Sequence, residues 1–318
     1  MPTARSPRKG SLQFWPRKRA RKFLPSVNWS TIKKDSSKNL RGFIAYKAGM
    51  ASGFVTDNTP DSMTKGKKIV IPLTILECPK AKIFSVRFYK NGKVAEEVLS
   101  KNLDKELKRA VMIPKKEHGN IEEAKDYDDV RVILYSVVKQ TGIKKTPDLA
   151  EVSLVGSIGE KINFAKENLH KEISVLDIFE KGQLVDIRGL TKGKGLQGPV
   201  KRFGITLKSH KSEKGQRRPG SLGPWHPARV TYYAPMAGQM GMFTRVVYNN
   251  KIVDMGNPEK NKELNGLKNL KNYGDIKSDF ILLRGSVPGP SKRQLLLTAS
   301  FRETKKQAKK SFQLLEIR

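Results

Sequence analysis

The residues best placed to do chemistry lie between Thr191 and Arg245, where eleven lysines and arginines face one acid, Glu213, for a formal +10. Groups of this kind at this density bind phosphates. Guanidinium forks match pairs of phosphate oxygens or base edges, and lysines add compact positive charge. Lys192, Lys194, Lys201, Arg202, Lys214, Arg217, Arg218 and Arg229 are the candidate contacts. The segment has too little apolar periodicity to close on itself as a core, so it needs solvent or an anion along its length. It does not have a linker's composition either, because it holds Phe203, Trp225, Tyr232, Tyr233 and a methionine-rich end, Met236, Met240 and Met242. The expectation is a long loop that leaves a folded body and is ordered by a polyanion.

The most informative stretch within it is Gly220-Ser-Leu-Gly-Pro-Trp-His-Pro-Ala-Arg229. Trp225 stands between Pro224 and His226-Pro227, a conformationally restricted setting that could present it as a rigid wedge; the competing reading is an anchor onto the body. His226 is one of four histidines, with His118, His170 and His210, and no neighbouring nucleophile or paired acid makes it a general base. A hydrogen bond to RNA or to backbone is its expected role. Gly193-Lys-Gly195-Leu-Gln-Gly198 matches the dinucleotide-binding spacing G-x-G-x-x-G and follows a strand. Pro199 and Lys-Arg-Phe-Gly204 open no crossover helix behind it, so the glycines are read as allowing close approach of amides and lysines to phosphate.

A second cationic stretch opens the chain. Residues 1–34 carry ten lysines or arginines and no acid, and Pro2, Pro7, Pro16 and Pro25 exclude a long helix. Arg8, Lys9, Arg17, Lys18 and Arg19 interleave with Leu12, Phe14 and Trp15, a pattern of backbone-reading cations with rings that could stack on or wedge into folded RNA. A disordered basic tail with incidental aromatics is the plainer alternative.

The rest of the composition narrows the partners. The formal net charge of the 318 residues is +33, from 63 basic and 30 acidic residues, and the excess is segregated: the middle of the chain is close to balanced. A surface adapted to heat or salt would distribute both signs, so segregation favours a phosphate-rich partner. No run approaches the ~18 apolar residues of a membrane span and the N-terminus lacks an apolar secretion core, so no membrane partner and a cytoplasmic location are expected. The single cysteine, Cys78, excludes an intrachain disulfide framework and a multi-cysteine zinc site, and inert packing is its expected role. No cofactor, metal or catalytic site is expected, and the protein is read as not an enzyme.

The elements that must position these residues begin near Leu40. Phe43–Lys47, Lys67–Glu77 and Lys82–Tyr89 have strand composition, with a hairpin turn at Lys90-Asn-Gly-Lys93. Val98, Leu99, Leu103, Leu107 and Ala110 fall at helical spacing and predict a helix. Asp129–Val138 and Glu151–Val155 are strand candidates. Ser157 with Glu160 is a capping box opening a helix striped by Ile158, Ile162, Ala165 and Leu169. Further strands are expected at Ile173–Phe179, Gln183–Leu190, Phe243–Tyr248, Ile252–Met255, Phe280–Arg284 and Gln294–Ser300, with Lys181-Gly182 and Asn249-Asn250 as turns. The polar stretch from Asn257 to Asn272 is ambiguous, and Lys305–Lys310 is a basic patch, helical or flexible. A mainly β body closed as a barrel explains how short strands form a stable scaffold. The implied division is a basic arm over 1–39, body over 40–94, an α/β insertion over 95–172, strands over 173–190, a basic central extension over 191–242, further body over 243–304 and a basic tail over 305–318.

Six stretches in order then carry a resemblance: Pro7-Arg-Lys-Gly-Ser-Leu12, Phe179-Glu-Lys-Gly-Gln-Leu-Val-Asp186, Thr191-Lys-Gly-Lys-Gly195, Gly198-Pro-Val-Lys-Arg-Phe-Gly204, Trp225-His-Pro-Ala-Arg-Val230 and Gly285-Ser-Val-Pro-Gly289. Over essentially its whole length the chain resembles the large-subunit ribosomal protein L3 family in its archaeal and eukaryotic form. The resemblance implies a translation-protein-type six-stranded β-barrel with an α/β insertion and long basic non-globular extensions. It implies a structural constituent of the large ribosomal subunit that binds large-subunit, 23S-type rRNA, supports early subunit assembly and braces RNA near the peptidyl transferase centre. Trp225 matches the tryptophan near the tip of the family's central extension; Lys192, Lys194, Lys201, Arg202, Arg217, Arg218 and Arg229 would line its RNA path, and the N-terminal arm would be buried in rRNA. Ribosomal proteins L14 and L24e are the implied protein neighbours.

Overall fold

The computed structural model describes residues 8–32, 37–101, 103–114, 120–122, 124, 126–258 and 265–318. Pro2, Pro7, His118 and the centre of the ambiguous 257–272 stretch lie outside them. The strands are β1 (Gly42–Asp57), β2 (Lys68–Glu77), β3 (Ala81–Lys90), β4 (Lys93–Leu99), β5 (Asp129–Ser136), β6 (Leu149–Ser153), β7 (Leu184–Leu190), β8 (Gly195–Gln197), β9 (Gly238–Met240), β10 (Thr244–Gly256), β11 (Phe280–Arg284), β12 (Gln294–Ala299) and β13 (Phe312–Ile317). Among the described residues the α-helices are α1 (Ile158–Asn168), α2 (Pro199–Phe203) and α3 (Lys305–Ala308). The protein is mainly β, as expected. It divides into two units, Phe23–Gly189 with Arg245–Arg318, and Met1–Lys22 with Leu190–Thr244.

In the larger unit one sheet runs β12-β7-β10-β11-β2-β1-β13, and β12 pairs again with β1. The length of β1 makes this possible. Its first five residues pair with β12, from Gly42 opposite Thr298 to Tyr46 opposite Gln294, and its last five with β13, from Gly53 opposite Ile317 to Asp57 opposite Phe312. Its other edge pairs with β2 from Tyr46 to Thr56. Phe43, Ile44, Ala45 and Tyr46 are all fully buried, so both faces of that half are covered. Only a two-sided core accommodates so continuous an apolar run. The expected Phe43–Lys47 strand is thus the first third of a longer one.

The expected turn at Asn249-Asn250 lies instead within continuous β10. Asn249 takes a positive φ of 57°, and its amide donates to Asp186 Oδ1 at 2.8 Å while the Phe301 amide donates to Oδ2 at 2.8 Å. Burial pushes the Asp186 carboxyl above its ordinary range, against the pull of these donors. At the end of β2, buried Glu77 accepts from the amides of Lys277 and Ser278 at 2.8 and 2.9 Å, from Ser278 Oγ at 3.0 Å and from the Tyr273 hydroxyl. Burial, with Glu77 beside it, pushes the Tyr273 phenol upward. The neighbouring Cys78 is buried and its thiol is raised by burial, in keeping with inert packing.

A second sheet, β4-β3-β5-β6, has α1 packed on it; β3, which the sequence reading places in the body, pairs with β4 and β5 here and not in the main sheet. The Asn91-Gly92 turn has φ of 50° and 74°, the backbone a two-residue hairpin needs. The capping box is present, with the Ser157 amide donating to Glu160 Oε2 at 2.9 Å and the Glu160 amide to Ser157 Oγ at 3.4 Å. Along the helix stripe Ala165 is buried, but Ile158 faces out.

The expected helix across Val98–Ala110 does not form. Val98 pairs with Val86 in the β3–β4 hairpin, and the chain then makes only a 3-10 turn at Lys105–Arg109, where buried Leu107 joins Phe84, Ile133 and Tyr135. Val98 joins the main core while Leu99 and Leu103 pack beside Leu107 in a separate cluster, so cross-strand pairing and not a single helical stripe places these residues. Ile173–Phe179 is likewise a 3-10 turn at Val175–Asp177 rather than a strand, capped by Ser174 and bridged only at Ile173 to Ala81. The 305–318 stretch, expected as a tail, contains α3 and then β13 in the main sheet. Trp29 and Ile32, which the sequence places in the arm, are buried in the main core at 2% and 1% exposure.

Candidate nucleic-acid interface

The smaller unit begins with a paired ribbon where the sequence predicted only a loop. The Thr191 amide donates to Phe243 O at 3.0 Å and the Lys194 amide to Met240 O at 2.9 Å, and β8 then pairs with β9 from Gly195 opposite Met240 to Gln197 opposite Gly238. Gly241 is required here: its φ is +76°, and a Cβ would lie 2.0 Å from Lys192 O. After β8, Pro199 at the first turn and Gly204 at φ +68° bound the single-turn helix α2. That turn is too short to be a crossover helix, so the glycine spacing is not a dinucleotide site.

The arm lies along this ribbon and helix. The Ala20 amide donates to Met242 O at 3.0 Å. Arg8 Nη2 donates to Tyr233 O at 3.1 Å, with its guanidinium 5.6 Å from the Tyr233 ring centre. Half-buried Trp15 stacks on Phe203 with ring centres 6.2 Å apart and meets Tyr232 edge-on at 5.5 Å. Its indole Nε1 donates to Ser11 O at 2.8 Å. Trp15 therefore has partners within the protein, while Phe14 is 46% exposed. Both peptide bonds Trp15-Pro16 and His226-Pro227 are cis.

Arg17 and Arg202 are half-buried among these contacts. Arg202 donates through Nε to Gln239 O at 3.0 Å, through Nη1 to Met236 O at 2.9 Å and through Nη2 to Arg17 O at 3.3 Å. Burial lowers its guanidinium from the ordinary value. The other candidates face outward: Lys9, Lys18, Arg19, Lys192, Lys194, Lys201, Lys214, Arg217, Arg218, His226 and Arg229 are all exposed. The Lys208 amide donates to Gln216 O at 3.1 Å and so closes a small loop that presents Lys211 and Lys214. Lys208 and Lys211 were not singled out from the sequence, although they belong to the same basic run.

Every residue from Ser221 to Val230 is exposed, and Trp225 is 88% so. It borders a groove of about 420 Å³ lined by Leu222, Pro224, Pro227, Arg229 and Val230. Among the described residues no cluster of three or more metal-binding side chains occurs, and no helix is long and apolar enough to cross a membrane. The arrangement offers outward-facing cations along the extension, an exposed indole, and a single acid, Glu213, among them. That suits a polyanion held along its backbone, with ring stacking at intervals.

Fold and surface together define a mainly β protein whose smaller unit is strongly cationic. A family model described as ribosomal protein L3 matches residues 1–316. The large ribosomal subunit protein uL3 of Methanocaldococcus jannaschii is 39% identical over 311 residues, 93% of this chain and 91% of that one. Its counterpart from Archaeoglobus fulgidus is 39% identical over 313 residues, 94% and 93% of the two chains. The chain belongs to the ribosomal protein L3 family, a family of ribosomal structural proteins and not of enzymes.

Proposed function

We propose that the protein is a structural constituent of the large ribosomal subunit, that its arm and central extension bind large-subunit rRNA, and that it supports early subunit assembly. The carrying observation is the family match over residues 1–316 in a chain whose smaller unit turns its cations outward. The six strands β1, β2, β11, β10, β7 and β12, whose pairing order returns to β1, support reading the body as a six-stranded barrel of the translation-protein type. Counterion release on phosphate contact provides the affinity, and stacking by exposed rings such as Trp225 adds to it. The extension braces RNA near the peptidyl transferase centre without supplying catalytic atoms. Ribosomal proteins L14 and L24e are the proposed neighbours, and the cytoplasmic ribosome the location.

Quantitative mass spectrometry across a high-salt sucrose gradient of cell extract tests this reading. One copy per large subunit, with none in the small-subunit peak, is the expected result. Recovery mainly in free fractions, or at varying ratios, would replace it with a mobile RNA binder that uses the same basic surface on many RNAs.

A further inference from the structure

Arg17 and Arg202 have the sequence signature of phosphate contacts, but their guanidiniums are occupied by the protein's own carbonyls. Arg202 reaches Gln239 O, Met236 O and Arg17 O. Arg17 answers through Nη1 to Arg202 O at 3.1 Å and through Nη2 to Ser11 O at 3.4 Å. The pair is reciprocal: each side chain donates to the other residue's main chain, across 185 positions of sequence. Between them lies Phe203, 6% exposed, with the Arg17 guanidinium 4.3 Å and that of Arg202 5.1 Å from its ring centre. Gly10 crosses the same ring at φ +83°, where a Cβ would stand 2.5 Å from Phe203 Cδ1.

Cations facing a ring and filled with carbonyl acceptors are well satisfied without an anion. The arm is thus held at Gly10, at Arg17 and at Ala20, all on α2, β9 and the turn after it. No lysine could replace these arginines, because an ammonium has no planar fork to span two or three carbonyls in fixed directions.

We propose that Arg17 and Arg202 are positioning residues that clamp the N-terminal arm onto the root of the extension before any RNA is bound. The clamp presents the outward cations Lys9, Lys18, Arg19, Lys192, Lys194 and Lys201 as one preformed surface. For its consequence the inference rests on the rRNA-binding reading, but the clamp itself is a property of the RNA-free chain. Ordering the arm in advance removes that cost from the binding step, and affinity falls in proportion to the fraction of chains with the arm in place.

Hydrogen exchange on the RNA-free, full-length protein tests the clamp. The Ala20 amide and the 236–242 segment of the wild type exchange slowly, and Arg17→Lys or Arg202→Lys accelerates both about tenfold while β2 keeps its protection. Fast exchange of the wild-type arm would overturn the proposal. Wild-type protection in both lysine variants would do the same, and so would a loss that spreads to β2, which would mark a general structural role.

Binding to in vitro transcribed large-subunit rRNA across a salt series supplies the second readout. The lysine variants keep the charge, so the clamp predicts affinity about tenfold weaker at every salt concentration with an unchanged log–log slope. Lys201→Gln, an outward cation, lowers that slope by about 0.7–0.9. Lysine variants that bind as the wild type does would return both arginines to the phosphate contacts. Failure of the wild type to bind rRNA, with the arm protected, would overturn the functional reading and leave the clamp standing.

Discussion

Trp225, 88% exposed in a segment without a buried residue, has no part in the core. Trp225→Ala should leave the thermal midpoint of the isolated protein nearly unchanged, within about 0.5 kcal/mol, because surface substitutions away from packed features cost no more. Its rRNA affinity should fall by about 1–3 kcal/mol if the indole stacks on a base. Calorimetry paired with a binding assay checks both halves, and a large drop in thermal midpoint would make Trp225 an anchor. The chain's three tryptophans have three different fates. Proline neighbours made exposure one of two readings of Trp225, and the structure chose it. Trp15 was legible as an aromatic among cations, but its stacking on Phe203 was not, and buried Trp29 carried no local signal that separated it from the arm.

At the scale of elements, β13 shows how a short terminal strand can matter more than its composition suggests. Ile317 is 3% exposed and packs with Ala48, Ile75, Leu267, Ile276, Phe280 and Leu282. Ile317→Ala should cost about 2–5 kcal/mol through reduced burial and the cavity left behind. Urea denaturation would show this as a lowered midpoint with a similar slope. A midpoint equal to that of the wild type would mean that β13 frays and that β1 is held by β2 and β12 alone. Phe312 and Leu314 already alternate toward the core side, yet six residues beside a lysine-rich run give too short a period to outweigh the charge. Asn249-Asn250 failed in the opposite direction. The pair has turn composition, but Asp186 captures the Asn249 amide and the strand continues.

For the whole molecule the governing quantity is the formal +33. Binding to large-subunit rRNA should weaken steeply with salt, by about 10³ to 10⁵ between 50 and 200 mM if six to ten phosphates are neutralised. Replacing Lys214, Arg217 and Arg218 together with glutamine should lower the log–log slope by about 0.7–0.9 for each phosphate that is no longer neutralised. A filter-binding series gives that slope, and a value near zero would refute an electrostatic interface. The sequence by itself determined the sign and location of the charge, most of the strands and the capping box, because each is a property of composition or short-range period, while for Trp225 it left wedge and anchor both open. Only the tertiary structure decided that β12 returns to β1, that residues 98–110 bend away from a helix, and that Arg17 and Arg202 close on each other's carbonyls. Those outcomes depend on hydrogen-bond partners tens to hundreds of residues away, and a local pattern carries no record of which partner will be within reach.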